Sequence, residues 1–481
     1  MNIQRALARI VGQEHVSDDP EELEAFSRDH SLSPPRRPSY IVRPRTPEEI
    51  LALVKLAGEH HWPLVPASSG IHFHGCTLAS QGGIIVDLRR MDCILGIDER
   101  NRKVRIEPGF MPLFPLTPHP LKSALTSHLE REPILIPKFE FAEPLLTTEI
   151  VWGRGQIFRT GAAAAGIGEG TGSIARGVFP HGPGLDWWRI LQGAQGTMGI
   201  LTWGNVKMEI LPEVNKVFFL PFEDAGEAVE LLYRVGRKMI GYEFFLLNRV
   251  NLAAILAEDW FEDFDRIRAL LPEWTVILVL SGGPVRPEER IEYEEEALFA
   301  IAAELSLANV KTSLAGIPSA ERRILHTLRH AWPEDKLYWK WGLCGECADL
   351  PFITTLDRLP RFIQAVSAVA VAHAHPAEEI GCYVQPLEYG RACHIEFSFF
   401  FRRRQNGARS RGVLFPAIRH SRRSRLSPCR RIHHDAQEDQ GNPRSESHLE
   451  SGQTVLLGRR TMTLVDYSLY KWDAQNCIRC T

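Results

Sequence analysis

Residues 40–70, YIVRPRTPEEILALVKLAGEHHWPLVPASSG, leave the chain little choice but strand, helix, strand. Tyr40–Val42 is a short β-prone run. Thr46 can cap a helix, Pro47 fits its first turn, and Glu49 completes a capping box. Ile50, Leu51, Val54, Leu56 and Ala57 then fall on one helical face, and WPLVP returns as a strand. A polar loop, ASSGIHFHGCT, leads to another apolar strand, GGIIVDL at 82–88. CILGIDERNRKVRIEPG reads as a hairpin turning at Asp98–Arg102.

Further along, EIVWGRGQIFRTG reads as a second hairpin turning near Arg154–Gly155. The glycine- and alanine-rich run 162–177 reads as a mobile surface loop. LQGAQGTMGILTWGNVKMEIL is a glycine turn followed by alternating strand. Beyond Val217 the pattern changes to strand–helix units, such as KVFFLPFEDAGEAVELLYRVGRK, and ends on a strand at Cys393–Phe400. These units predict an antiparallel sheet covered by helices, a ferredoxin-like α+β layer. The fold class is therefore α+β: a helical lead-in at 1–38, a first domain at 39–212, a second at 213–400, and an irregular segment at 401–481. A chain of 481 residues accommodates that organisation.

Bulk properties exclude several classes. A net charge of -3 gives no global attraction to nucleic acid or anionic membrane. No apolar run approaches the ~20 residues of a membrane span, and Met1–Arg9 leads into no signal-peptide core, so the expected compartment is the cytoplasm. Nine cysteines, an odd number widely scattered, do not form a disulfide framework. The pairs Cys344/Cys347 and Cys477/Cys480 have metal-ligand spacing but lie far apart, so no metal site is expected and the first pair reads as reduced structural thiols.

Three loops could carry chemistry. In Ser68–Thr77 small residues let backbone N–H groups converge on a phosphate, with Ser68, Ser69 and Thr77 adding hydroxyls. No helix follows, so the loop is neither a Walker nor a Rossmann turn. His72 and His74 flank Phe73, and lone histidines of this kind are more often surface residues than ligands. The second loop is LTSHLERE at Leu125–Glu132. The third is GAQGTMGI at Gly193–Ile200, where the glycines allow close approach to a planar or anionic ligand. On the last strand His394, Glu396 and Ser398 form a polar face. Aromatic LYWKWGLCGEC can wall a pocket, or Trp339 and Trp341 can be core.

The order of these elements resembles the FAD-binding half of the vanillyl-alcohol oxidase/p-cresol methylhydroxylase flavoprotein family, from about Ile41 to Pro212 and more loosely to Phe400. LTSHLERE and FPHGPG resemble the phenol-oxidising branch. GAQGTMGILT is similar to the glycolate and D-lactate dehydrogenase branch, where Glu commonly stands at the position of Gln195. The resemblance implies a PCMH-type, two-subdomain FAD-binding domain followed by a cap. Ser68, Ser69, Gly70, Ile71, His72, Gly75 and Cys76 would cradle the FAD pyrophosphate. Thr126 and Ser127 would line the flavin and its phosphates, and Gly193, Gln195, Gly196, Thr197, Gly199 and Ile200 would pack on the cofactor. Members with a covalent flavin on the first loop carry His where this chain has Ile71, which implies FAD bound non-covalently. Flavin chemistry needs hydride transfer to N5 and a group that takes a proton. His394 is the candidate base, Arg391 the candidate holder of a carboxylate or phenolate, and Glu396 their companion.

After Phe400 the character of the chain changes. From Phe401 to Arg460 every basic residue is Arg or His, with no Lys, and aromatics stop at Phe415. A disordered tail and a nucleic-acid arm are the ordinary readings, but an arm would lack stacking partners. Translation out of frame fits better, because DQGNPRSESHLESGQTV shifted by one nucleotide can spell the Asp-Pro…Asn-Pro-Gly-Lys ending of the resembled family. MTLVDYSLYKWDAQNCIRCT resembles the start of a separate iron–sulfur protein. This implies an iron–sulfur electron acceptor as partner, and dehydrogenase rather than oxidase chemistry. The expected substrate is a small hydroxy acid, alcohol or 4-alkylphenol, and a homodimer is possible on the resemblance. The alternative is a flavin-binding protein without turnover, its native C-terminal segment being lost.

Overall fold

The computed structural model describes residues 2–29, 31, 33–69, 72, 75–111, 122–130, 145–165, 187–330, 332–333, 336–342, 347–373, 375–400 and 462–463. The lead-in holds helix α1 (Ile3–Val11), strand β1 (Val16–Ser17) and helix α2 (Pro20–Ala25). It is therefore not purely helical. Next come β2 (Tyr40–Val42), α3 (Pro47–His60), β3 (Leu64–Ala67) and β4 (Ile84–Asp87). Thr46 caps α3 by accepting the Glu49 N–H at 3.2 Å. The Glu49 carboxylate reaches back to the N–H of Arg45 at 2.6 Å, one residue before the cap. The helical crossover makes β2 and β3 both parallel to β4, and β1 adds an antiparallel edge, in the order β1-β2-β4-β3.

A second sheet follows, built from β5 (Ile94–Asp98), β6 (Lys103–Ile106), β7 (Leu145–Trp152), β8 (Ile157–Arg159) and β9 (Gly199–Lys207). Helix α4 (Ala124–Leu129) lies between β6 and β7 in the chain, α5 (Trp187–Leu191) lies between β8 and β9, and β10 is Glu209–Ile210. The order is β5-β6-β9-β7-β8, antiparallel throughout, with both expected hairpins present. β9 is buried almost continuously rather than in alternation, because it is flanked by β6 and β7 and covered on both faces. One apolar core joins the two sheets: Val42, Val86, Ile50, Leu53 and Val54 pack with Val151 and Ile200. Each such side chain removed from water contributes about 1.5–3 kcal/mol. Of the small-residue run at 162–177, residues up to 165 belong to a 3-10 turn and the rest lie outside the described residues.

From Val214 the chain builds β11 (Val214–Phe222), α6 (Ala225–Lys238), β12 (Glu243–Asn248), α7 (Arg249–Leu256), α8 (Trp260–Leu270) and β13 (Trp274–Gly282). Then come α9 (Pro287–Glu304), α10 (Ala320–Arg329), α11 (Trp339–Gly342), β14 (Cys347–Thr354), α12 (Leu359–Ala372), β15 (Ile380–Leu387) and β16 (Ala392–Phe400). The six strands form one antiparallel sheet in the order β11-β13-β12-β15-β16-β14. Phe218, Leu220, Phe244, Leu278, Ile395 and Phe397 face α6, α9 and α12. Phe219, Phe245, Leu247, Ile277, Tyr383 and Phe400 face α7, α8, α10 and α11. Helices thus cover both faces of the sheet, and Trp339 and Trp341 of α11 are core. Of residues 401–481, only Met462–Thr463 are described, as a short strand paired with β10.

Candidate functional site

The fold brings the three candidate loops together. The Ser68 hydroxyl, just past the end of β3, shares a hydrogen bond with the Thr126 hydroxyl on α4. Ser123 caps α4 by accepting the Thr126 N–H at 3.3 Å, and the Ser127 hydroxyl donates to the Ser123 carbonyl at 3.1 Å. Past α4, the Gly193 N–H donates to the Leu129 carbonyl at 2.7 Å, so the third loop hangs on the end of the second. It also leans on the first: a Cβ at Gly196 would lie 3.0 Å from Pro66 Cγ in β3.

Local conformation explains the glycines of the third loop. Gly193, Gln195 and Gly196 have φ of 71°, 50° and 77°, the left-handed region that costs other residues most. The Thr197 hydroxyl ties the turn by donating to the Ala194 carbonyl at 2.6 Å. A Cβ at Gly199 would lie 2.3 Å from the Val151 carbonyl oxygen, so no larger residue fits against β7 there. Ile200 is buried in the core that joins the two sheets.

The first loop is anchored from outside. The Gly75 N–H donates to Asp29 Oδ2 at 2.7 Å, and the Cys76 thiol donates to Glu130 Oε1 at 3.5 Å. Lys122, fully buried, pairs with the other oxygen of Glu130. Burial, and then Glu130, push the Cys76 thiol up to about 12, so it stays a neutral thiol. His72 is buried rather than at the surface, because its Nε2 meets the Ser69 carbonyl at 2.8 Å and folds the ring under the loop. Its buried Nδ1 has no partner among the described residues, and burial lowers the pKa of the ring. Gly70, Ile71 and His74 lie outside the described residues. Serine and threonine hydroxyls, an orphaned buried nitrogen and glycines without room for a side chain fit a bound nucleotide such as FAD.

The second cluster lies in the six-stranded sheet. His394, Glu396 and Ser398 are buried on the face shared with Tyr383 and Phe400, not turned to solvent. The antiparallel register sets Gln385 opposite His394, Tyr383 opposite Glu396, and Asp349 opposite Ser398. Lys340 of α11 reaches into this face, bonded to the Glu396 carboxylate and to Asp349 Oδ2 at 2.8 Å. The Ser398 hydroxyl donates to Asp349 Oδ1 at 2.7 Å. His394 Nε2 stands 3.7 Å from Glu396 Oε2 and makes no hydrogen bond among the described residues. A single oxygen atom set beside that pair can reach both at about 2.8 Å.

Charge in the cluster is uneven. Burial opposes the charge of Glu396, but Lys340 and then His394 outweigh it and bring the carboxyl down to about 2. Burial raises Asp349 against the pull of Lys340, with Glu396 adding to the rise. Burial also opposes the charge of Lys340, yet its two carboxylates hold its pKa well above the ordinary value. Arg391 stands apart, exposed in the turn before β16.

Sequence reading missed Lys340, Asp349, Lys122 and Glu130 as partners. A lysine between two tryptophans was the available signal for Lys340, since a charge in so apolar a run must find a counter-ion. Asp349 gave none, because its role depends on strand register.

Residues 38–112 match the family described as FAD binding domain. The chain is 25% identical over 329 residues to glycolate oxidase subunit GlcD of Bacillus subtilis, covering 65% of each chain. It is 27% identical over 309 residues to a probable mitochondrial D-lactate dehydrogenase of Danio rerio, covering 60% of this chain and 57% of that one. The chain thus spans less than two thirds of the length of either relative. Its fold is shared with p-cresol methylhydroxylase solved with substrate bound, at a TM-score of 0.65 and 17% identity over 83% of this chain and 82% of that one. Among the described residues no helix is long and apolar enough to cross a membrane.

Proposed function

Starting from a chain that carries a PCMH-type FAD-binding domain, we propose that it is an FAD-dependent dehydrogenase acting on a small hydroxylated substrate, with electrons passed on to an iron–sulfur partner. The observation that carries the reading is the meeting of the three loops at Ser68, Thr126, Leu129 and Gly193. Bound FAD supplies the two-electron acceptor. Ser68, Ser69, Thr126 and Ser127 would hold its polar parts, and the Gly193–Gly199 turn would pack against it. A neutral Cys76 thiol and the absence of His at position 71 support non-covalent binding.

In the second cluster His394 Nε2 takes the proton of the substrate hydroxyl while a hydride leaves the hydroxyl-bearing carbon of an alcohol, giving a carbonyl, or the benzylic carbon para to the hydroxyl of a 4-alkylphenol, giving a quinone methide. Glu396 accepts a hydrogen bond in the same step and stabilises the charge that His394 gains. Lys340 is matched by two carboxylates, so a substrate carboxylate would find no unmatched cation beside His394 among these residues. This favours an uncharged alcohol or 4-alkylphenol over a hydroxy acid. Exposed Arg391 is the holder in the hydroxy-acid version.

Purified protein should be yellow, release its flavin on acid denaturation, and bleach anaerobically with 4-cresol or an alcohol faster than with D-lactate. Protein that is colourless and cannot be reconstituted with FAD sinks the proposal. Yellow protein that no donor bleaches supports the alternative, flavin binding without turnover. The same preparation tests the homodimer by sedimentation, and cell fractionation tests the cytoplasmic location. We assign residues 401–481 no function and read them as a shifted frame. Sequencing the gene across codons 398–404 tests this, and an uninterrupted frame there refutes it.

A further inference from the structure

We propose that Lys340 and Asp349 form a positioning pair that keeps Glu396 a carboxylate and aims its free oxygen at His394. The proposal rests on His394 being the base of the reaction above. It follows from how the cluster is assembled. Lys340 comes from a four-residue helix held in the core by Trp339 and Trp341 on either side of it, so its ammonium has no freedom to wander. Its Nζ is fixed between Asp349 on β14 and Glu396 on β16. Asp349 is itself fixed by the Ser398 hydroxyl. Lys340 takes Oε1 of Glu396, which leaves Oε2 facing His394 Nε2 at 3.7 Å.

Such a buried ion group is worth little as stability, since three desolvated charges offset most of their attraction. What it secures is geometry and protonation. Without Lys340, Glu396 would be a buried carboxyl beside Asp349 and would take up a proton. The other polar or titratable groups around the pair are Tyr338 before α11, Cys347 on β14, and Cys382, Tyr383 and Gln385 on β15. Burial keeps these thiols and phenols neutral, so Lys340, Asp349 and Glu396 set the field at His394.

The test is anaerobic stopped-flow reduction of the FAD-loaded full chain by the best donor, from pH 5 to 10. The rising limb reports deprotonation of the His394–Glu396 pair. Removing a neighbouring cation makes that proton harder to lose. Lys340→Met should therefore move the limb at least about one unit to higher pH, a tenfold slower reduction at a fixed pH below it. Lys340→Arg should keep the limb within about 0.3 units of wild type, and in an Asp349→Asn background Lys340→Met should move the limb less than it does in the wild type, because Lys340 is no longer held against Glu396. A Lys340→Met limb that does not move, or one that moves as far in the Asp349→Asn background as in the wild type, overturns the proposal. If Lys340→Met fails to fold, Lys340→Gln takes its place under the same limits. His394→Gln separates the two readings. Reduction at the wild-type rate in that variant refutes His394 as base, whereas a dead His394→Gln with an unmoved Lys340→Met limb refutes only the positioning pair.

Discussion

Gly199→Ala places one methyl group where β9 meets β7. The added Cβ would lie 2.3 Å from the Val151 carbonyl oxygen and 3.1 Å from Cγ1 and Cδ1 of Ile150. An ordinary carbon–oxygen contact is about 3.3 Å, so the strands must part by about 1 Å. The obstacle is backbone, which cannot turn aside as a side-chain tip would. Val151 is paired with Ile200 in the ladder, and both belong to the core that joins the two sheets. Overpacking of this kind costs about 1–3 kcal/mol, and weakening one ladder hydrogen bond adds about 1 kcal/mol. The sum is about 2–4 kcal/mol, or a fall in Tm of roughly 5–15 °C for a domain near 200 residues. Gly193→Ala is the matched control. Its Cβ would meet nothing within 4 Å among the described residues, but its φ of 71° is left-handed, so strain costs about 1–2 kcal/mol. Thermal unfolding followed by circular dichroism should rank the losses Gly199→Ala first and Gly193→Ala second. A Gly199→Ala protein melting within about 1 °C of wild type, or above Gly193→Ala, would refute the steric reading.

Two buried groups predict opposite pH behaviour. Burial drops the pKa of His128 to about 4, so the unfolded chain binds its proton first as pH falls. His128 should cost roughly 3 kcal/mol of stability as pH goes from about 6.5 to 4, and urea midpoints of His128→Gln should lose that part of the acid slope. Burial raises Glu107 to about 7, so the folded chain holds its proton longer and stability falls as pH rises from about 4.5 to 7. Glu107→Gln keeps an acceptor for the Cys93 N–H, bonded at 2.9 Å, and should gain about 1–3 kcal/mol at pH 8 with little change at pH 4. Equal urea midpoints for wild type and Glu107→Gln at pH 8 would exclude this.

The elements legible in the sequence were those whose signal is local. Thr46, Pro47 and Glu49 mark the start of α3, and the Asp98–Arg102 turn marks the β5–β6 hairpin. The alternation at His394, Glu396 and Ser398 disclosed a strand with a polar face, but a two-residue period cannot say whether that face meets water or protein. Long-range pairing decided it, since β14 and β15 flank β16 and α11 covers the polar row. The same limit hid the Lys340–Asp349–Glu396 group, whose members are distant in sequence and meet through register. In the first domain the three loops could be ordered along the chain, yet their contact rests on a tertiary hydrogen bond between Ser68 and Thr126, 58 residues apart.

That contact sits where two sheets abut without sharing a strand among the described residues. Pro66 of β3 beneath Gly196, Ser68 against Thr126 and Leu129 against Gly193 fasten the loops along this seam. A ligand lodged there would act as a rivet. Its binding free energy would add to the adhesion between the sheets, about 2.7 kcal/mol at a hundredfold excess over Kd, and leave the interior of each unchanged. Cofactor supply would then govern how the first domain holds together as well as what it can catalyse, so an unloaded chain would come apart first along this line.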